Sequence, residues 1–283
     1  MSAPQRIQQQ RRYLMCRPEH FTVSYEINPW MNKAHPTDGS KAVRQWQALY
    51  DTYLQLGHHV DLIDPTPGLN DMVYTANGGL VIDGLALGSR FCVHQRQGEE
   101  LLFRQWFAAH GFDVVEPVAI QEGEGDLLLV GDVILAGYGV RSELVSHAEV
   151  AAVFGREVLS LRLINPTYYH LDTAVCVLDP VQGPGGVERA NIAYLPAAFD
   201  AFGQACLAER FPDAIRLDTS EPPSLDLNAI SDGRNVLLPP SATMFATRLR
   251  ERDYHPVPID LSELHLGGGS IKCCTLELRG GRP

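Results

Sequence analysis

The chain has 283 residues, 45% of them hydrophobic and 20% charged, which is ample material for a buried core. Its formal net charge of −11 argues against a nucleic-acid partner, which needs a basic surface, and suits attraction of a small cation. The opening MSAPQRIQQQRRYLM lacks the apolar run of a signal peptide, no stretch approaches the ~20 apolar residues of a membrane span, and the six cysteines show no disulfide-framework or CxxC spacing. These features predict a cytoplasmic protein with reduced thiols, no membrane partner and no structural zinc.

Taken in chain order, RYLMC (12–16) reads as a strand, KAVRQWQALYDTYLQLG (41–57) as a helix and HVDLID (59–64) as a second strand. GGLVIDGLALG then forms two short apolar runs around Asp83-Gly84, the pattern of a β-hairpin with a tight turn. A helix (GEELLFRQWFAAHG, 98–111) and a strand (FDVVEP) follow. The same order returns with DLLLVGDVILAG turning at Gly131-Asp132, then SELVSHAEVAAVFG and EVLSLRL. A weaker hairpin signal lies at Asp179-Pro180 after DTAVCVL, followed by PAAFDAFGQACLAERF and AIRL. The Pro/Gly stretch VQGPGG reads as a loop rather than a linker. LNAISDGRNVLL turns at Asp232-Gly233, with SATMFATRLRERD and HPVPI behind it. The unit is hairpin, helix, strand, repeated about every fifty residues. Five such helices fit a closed ring, in which the terminal strands RYLMC and IKCCTLEL lie together and make the whole chain, residues 1–283, one domain.

Three segments carry candidate chemistry. In TYYHLDTAV, a strand would set His170 and Asp172 on one face. In QEGEGDLLLVGD, Glu122, Glu124 and Asp126 crowd ahead of a strand; a Ca²⁺ loop is one reading, but the run lacks the length and bidentate glutamate of an EF-hand. In LHLGGGSIKCC the glycines are not a Walker loop, because the lysine does not follow GxxxxG, and they suit a close backbone approach to a ligand. The adjacent Cys273 and Cys274 would point to opposite faces of a strand, one into a core. A nucleophilic cysteine needs a thiolate, which a neighbouring protonated histidine promotes. Clustered carboxylates suit a planar cation held by paired hydrogen bonds, a guanidinium better than an ammonium.

At these residues the chain resembles the guanidino-group-modifying enzymes, the superfamily of arginine deiminase, the amidinotransferases and dimethylarginine dimethylaminohydrolase. The resemblance runs from MCRP (15–18) through NDMVYTANGGL (70–80), EGEGD (122–126), GDVILAGYGVRS (131–142) and HLDT (170–173) to GGGSIKCCTLEL (267–278), and within the superfamily the chain looks most like the bacterial dimethylarginine dimethylaminohydrolases. It implies a five-bladed α/β propeller, the pentein fold. It implies Cys273 as nucleophile with Cys274 turned into the core, His170 as acid/base, and Glu122 as the triad acid with Glu124 as second choice. Asp172 and Asp71 match substrate-binding acids, and Arg141 matches an arginine for the substrate α-carboxylate, with Arg96 a weaker candidate. Asn77 departs from the pattern, since many relatives have a carboxylate gripping the guanidinium there.

The activity implied is hydrolysis of N-methylated arginine to citrulline and a methylamine through a covalent thiouronium, without cofactor or metal. An arginine deiminase or dihydrolase, an amidinotransferase and a non-catalytic guanidine-binding protein are the alternatives on the same scaffold. The implied partner is a small guanidino substrate, with a homodimer left open.

Overall fold

The structure is a computed structural model and describes residues 6–179, 190–219 and 223–280. Five three-stranded sheets follow one another along the chain, each with the same internal plan. The second shows it plainly. Strands β3 (Gly79–Ile82) and β4 (Leu85–Gly88) form an antiparallel hairpin, helix α2 (Gln97–Ala109) crosses over, and β5 (Asp113–Val115) returns parallel to β4. The hairpin turns on Asp83 and Gly84, both with positive φ, as a two-residue turn matching strand twist requires.

The third sheet repeats the plan with β6 (Leu127–Val130), β7 (Val133–Tyr138), α3 (Ser146–Phe154) and β8 (Glu157–Arg162). The fourth does so with β9 (Val175–Val177), β10 (Ile192–Tyr194), α4 (Ala201–Arg210) and β11 (Ile215–Arg216). The fifth uses β12 (Ile230–Ser231), β13 (Asn235–Leu238), α5 (Thr243–Arg250) and β14 (His255–Pro258).

The remaining sheet joins the two ends of the chain. Strand β1 (Arg12–Cys16) pairs antiparallel with β15 (Leu276–Glu277) and parallel with β2 (His59–Ile63), reached through α1 (Gly39–Gln55). The ring thus closes by ordinary strand pairing, and the fold is a five-bladed α/β propeller.

Burial explains the layering. Leu80, Val81 and Ile82, like Leu127 and Leu128, are covered on both faces, as strands sandwiched between helices and a packed interior must be. On α1 the buried residues Ala42, Trp46, Leu49 and Tyr53 recur at helical spacing, and Asp38 caps the helix by accepting from Lys41 N at 2.9 Å.

Two local expectations change. HLDT is a 3-10 turn over Leu171–Thr173, not a strand, and the run before β15 is a turn through residues 271–274. The reason is common to both. Each blade enters its first strand through a tight turn near the ring axis, where a polar side chain can be satisfied by the next blade. The weak hairpin signal at Asp179-Pro180 is not a tight turn, because Val177 pairs with Ile192; Pro180 and VQGPGG lie outside the described residues.

Candidate active site

The turns that precede the first strands form a hydrogen-bonded circle. Asn77 Nδ2 donates to Glu122 O (3.3 Å), Leu171 N to Asp126 Oδ1 (3.0 Å) and Asn228 Nδ2 to Asp172 O (3.1 Å). Lys272 N then donates to Asn228 O (3.3 Å), and Ala76 N to Cys273 O (3.0 Å), which returns the circle to its start. Each of the five blades contributes one turn, so residues spread over two hundred positions of sequence meet at one centre.

His170 and Glu122 are joined directly, Nε2 to Oε2 at 2.7 Å. Arg141 Nη1 meets the same carboxylate at 3.0 Å, and Cys92 N donates to its other oxygen at 3.1 Å. Burial opposes charge on Glu122, but His170, Arg141 and Arg96 outweigh it and hold the carboxyl at about 2. Glu122 is therefore an anion at neutral pH. Since its Nε2 faces Glu122, His170 has its other nitrogen free: Nδ1 is buried and has no hydrogen-bond partner. Gly125 sits against this nitrogen. A Cβ there would lie 3.2 Å from His170 Nδ1 and overlap Asn77 Nδ2, so only glycine fits between them.

Cys273 is buried, its Sγ 3.2 Å from Asp172 Oδ2 and 3.1 Å from Asn228 Nδ2. Burial first, then the charge of Asp172, push the thiol well above its ordinary value. Burial also raises the Asp172 carboxyl, against the pull of His170 and Lys272, and its Oδ1 is unpartnered. Cys274 also lies in the core that holds Trp46, Leu49 and Ile271, and burial raises its thiol too. The two cysteines sit in a turn rather than a strand.

The glycines ahead of them approach protein side chains. Gly267 and Gly269 pack under the Tyr74 ring, while Gly268, at φ +89°, would place a Cβ 2.6 Å from Asn28 Oδ1.

The acidic run divides. Glu124 turns to Lys272 Nζ (2.9 Å), Glu277 N (3.1 Å) and Arg279, so its oxygens are taken up away from His170. Asp126 braces the circle through Leu171 N and Ser142 Oγ (2.6 Å). These three carboxylates share no common centre.

Asp71 accepts from Tyr25 Oη at 2.9 Å through one oxygen; the other is buried and unpartnered. Arg96 is engaged at all three nitrogens: Nε with Glu99 (2.9 Å), Nη2 with Glu99 (2.8 Å) and Nη1 with Asn77 Oδ1 (2.6 Å). Asn77 thus offers its oxygen to Arg96.

The segment after β1 covers the site. Besides Tyr25 on Asp71, Ile27 O accepts from Arg141 Nη2 (2.6 Å), Asn28 Nδ2 donates to Gly267 O (3.0 Å) and Trp30 Nε1 to Thr167 O (2.9 Å).

Sequence reasoning missed Tyr25, Glu99, Lys272, the Cys92 N–H and Asn228. Asn228 had a usable signal. Setting LDLNAI beside YYHLDTAV and GEGDLL, each leading into the first strand of its blade, puts Asn228 in the turn of its own blade that corresponds to those carrying Asp172 and Glu124.

A closed five-bladed ring with these polar turns at its axis defines a pentein, the class of the guanidino-group-modifying enzymes. No family model matches the chain. It is 48% identical to N(G),N(G)-dimethylarginine dimethylaminohydrolase of Mycobacterium tuberculosis, over 98% of this chain and 89% of that protein. The chain belongs to the dimethylarginine dimethylaminohydrolase family. It is also 38% identical to the bifunctional arginine dihydrolase/ornithine cyclodeaminase ArgZ of Synechocystis, but the match spans 94% of this chain and only 37% of ArgZ. The solved N-terminal domain of ArgZ, a cysteine-to-serine variant bound to substrate, superimposes with a TM-score of 0.86 at 36% identity, covering 96% of this chain and 99% of that one.

Proposed function

We propose that the protein hydrolyses an N-methylated arginine to citrulline and methylamine or dimethylamine, with Cys273 as nucleophile, His170 as acid and base, and Glu122 as the residue that orients and charges His170. The observation that carries this reading is the His170–Glu122 contact of 2.7 Å, which leaves His170 Nδ1 buried and unpartnered in the ring of turns that also holds Cys273. The 48% identity to a dimethylarginine dimethylaminohydrolase supports the same substrate class.

The chemistry follows from the groups. A thiol raised by burial and by Asp172 is protonated in the free enzyme, so a cation beside it helps to release the proton. The unpartnered oxygens of Asp71 and Asp172 are acceptors suited to guanidinium N–H groups. The Cys273 thiolate attacks the guanidinium carbon, forming a C–S bond. The C–N bond to the methylated nitrogen breaks as His170 gives that nitrogen a proton. His170 then takes a proton from water, whose oxygen adds to the same carbon, and the C–S bond breaks as the new hydroxyl proton passes to the departing sulfur, which restores the Cys273 thiol and releases citrulline.

Arg141, ion-paired to Glu122, keeps that carboxylate charged; to bind a substrate α-carboxylate it exchanges Ile27 O for the ligand. Arg96, held by Glu99, orients Asn77. Glu124 has no substrate role in this reading. The ring closed by β1 and β15 supports one domain over residues 1–283, and six free thiols favour a cytoplasmic protein. Among the described residues no helix is long and apolar enough to cross a membrane.

The test is a panel of arginine, monomethylarginine, dimethylarginine, succinylarginine and agmatine, with the citrulline-type product and the released amine both measured. Dimethylarginine should give citrulline and dimethylamine in equal amounts. Turnover of arginine alone, with release of ammonia, would replace this reading with an arginine dihydrolase, which the similarity to ArgZ favours as the second choice.

A further inference from the structure

Asn228 is fully buried in the turn before β12, and its carboxamide is used completely. Oδ1 accepts from Ser270 N (3.0 Å) and Cys273 N (3.1 Å), while Nδ2 donates to Asp172 O (3.1 Å) and reaches Cys273 Sγ at 3.1 Å. These partners settle the orientation of the amide. Two backbone N–H groups can only face an oxygen, and a backbone carbonyl can only face the nitrogen. An N–H is therefore directed at the sulfur and cannot be flipped away without breaking all four contacts.

We propose that Asn228 is a further catalytic residue, whose side-chain N–H holds the Cys273 sulfur as a thiolate while its oxygen clamps the turn that carries it. The proposal rests on the reading of Cys273 as nucleophile. A hydrogen bond to an ionised sulfur is stronger than one to a thiol or thioether. The donor thus favours the sulfur before it bonds carbon and again as the C–S bond breaks in the second step. Asp172 on the other side of the sulfur accepts the thiol proton and opposes the charge, so the two side chains bracket Sγ with opposite preferences. Cys274, Tyr74 and Tyr169 also stand near the sulfur, with burial raising all three, while His170 and Lys272 act on Asp172 beside it. The Ser270 backbone also favours the thiolate, and Asn228 adds a neutral side-chain donor against burial and Asp172, which oppose it. The clamp on Ser270 N and Cys273 N also fixes where the sulfur points, the positional part of the rate.

The experiment compares Asn228→Asp with wild type. Aspartate keeps an oxygen for the two backbone N–H groups but replaces the amide donor with a second oxygen. Alkylation of Cys273 by neutral iodoacetamide is followed against pH by peptide mapping, beside kcat and KM for dimethylarginine. The expected result is an alkylation profile displaced upward by a pH unit or more, at least tenfold slower labelling at pH 8, and kcat lowered at least tenfold with KM within threefold. Asn228→Ala serves if the aspartate variant does not fold, and should move the profile the same way. A purely structural role would lower the yield of folded protein or its Tm but leave the profile in place, and an unmoved profile with kcat within threefold overturns the proposal. Cys273→Ser separates the two readings: if it turns over at the wild-type rate, the nucleophile assignment falls whatever Asn228 does.

Discussion

Glu122 and Glu124 stand two residues apart in one short turn, both buried, both charged and both facing cations, yet they are built for different tasks. Glu122 meets a titratable partner, His170, whose far nitrogen is free. Glu124 meets Lys272 and Arg279, with a backbone N–H from Glu277. Permanent cations with every oxygen contact taken can brace a blade but cannot pass a proton. Cys273 and Cys274 lie in the same apolar cluster, but the Cys273 sulfur is met by Asp172 and Asn228. Close neighbours in one turn thus meet different partners, and polar character alone does not say which.

The cysteine pair offers the largest effect with which to break this comparison. Cys273→Ser should abolish turnover and Cys274→Ser retain most of it, with circular dichroism showing both folded; equal loss in the two would remove the distinction.

Next comes the glutamate pair. Glu122→Gln should lower kcat on the order of a thousandfold, with KM less affected, because the histidine loses its orienting charge. Glu124→Gln should keep kcat within severalfold but cost about 3–5 kcal/mol in denaturant unfolding, the usual consequence of leaving buried cations unpaired. If the phenotypes are exchanged, Glu124 is the working acid.

The acid limb of stability sharpens the contrast. The Glu122 carboxyl is depressed from 4.5 to about 2 in the folded protein, so its stabilisation is complete above 4.5 and is lost as pH falls toward about 2. Urea unfolding over that window should show a shallower loss in Glu122→Gln than in wild type. Parallel slopes would mean that Glu122 is not held as an ion.

The smallest effect concerns Asn77, whose oxygen is engaged with Arg96. Asn77→Asp should shift the ratio of kcat/KM for dimethylarginine over arginine by several-fold toward arginine, a change of ~1 kcal/mol between a neutral and a charge-assisted bond. An unchanged ratio would mean that Arg96 alone absorbs the new charge.

The repeat was legible because hairpin turns such as Asp83-Gly84 and amphipathic helices such as 41–57 are local signals, and local signals survive without a partner. His170, Glu122 and Cys273 stood out by residue type and by the resemblance of their motifs. The choice between Glu122 and Glu124 was not legible, since it depends on which blade each carboxylate meets across the ring. HLDT read as a strand because alternation on four residues cannot be told from a 3-10 turn. Asn228 could be placed by the repeat but its role could not be read: an asparagine in LDLNAI has no chemistry until Cys273 is brought 3.1 Å from it. The glycines of GGG read as a ligand approach, whereas Tyr74 and Asn28 occupy that space.

The account stands on a covalent step at Cys273 served by His170. The direct measurement is acid quenching of the wild-type enzyme during steady turnover of dimethylarginine, followed by intact mass and peptide mapping. The account predicts an adduct equal to substrate less dimethylamine, confined to the peptide bearing Cys273 and absent when Cys273→Ser is added. An adduct on Cys274 or Cys92, or wild-type citrulline production by the Cys273→Ser enzyme, would contradict it.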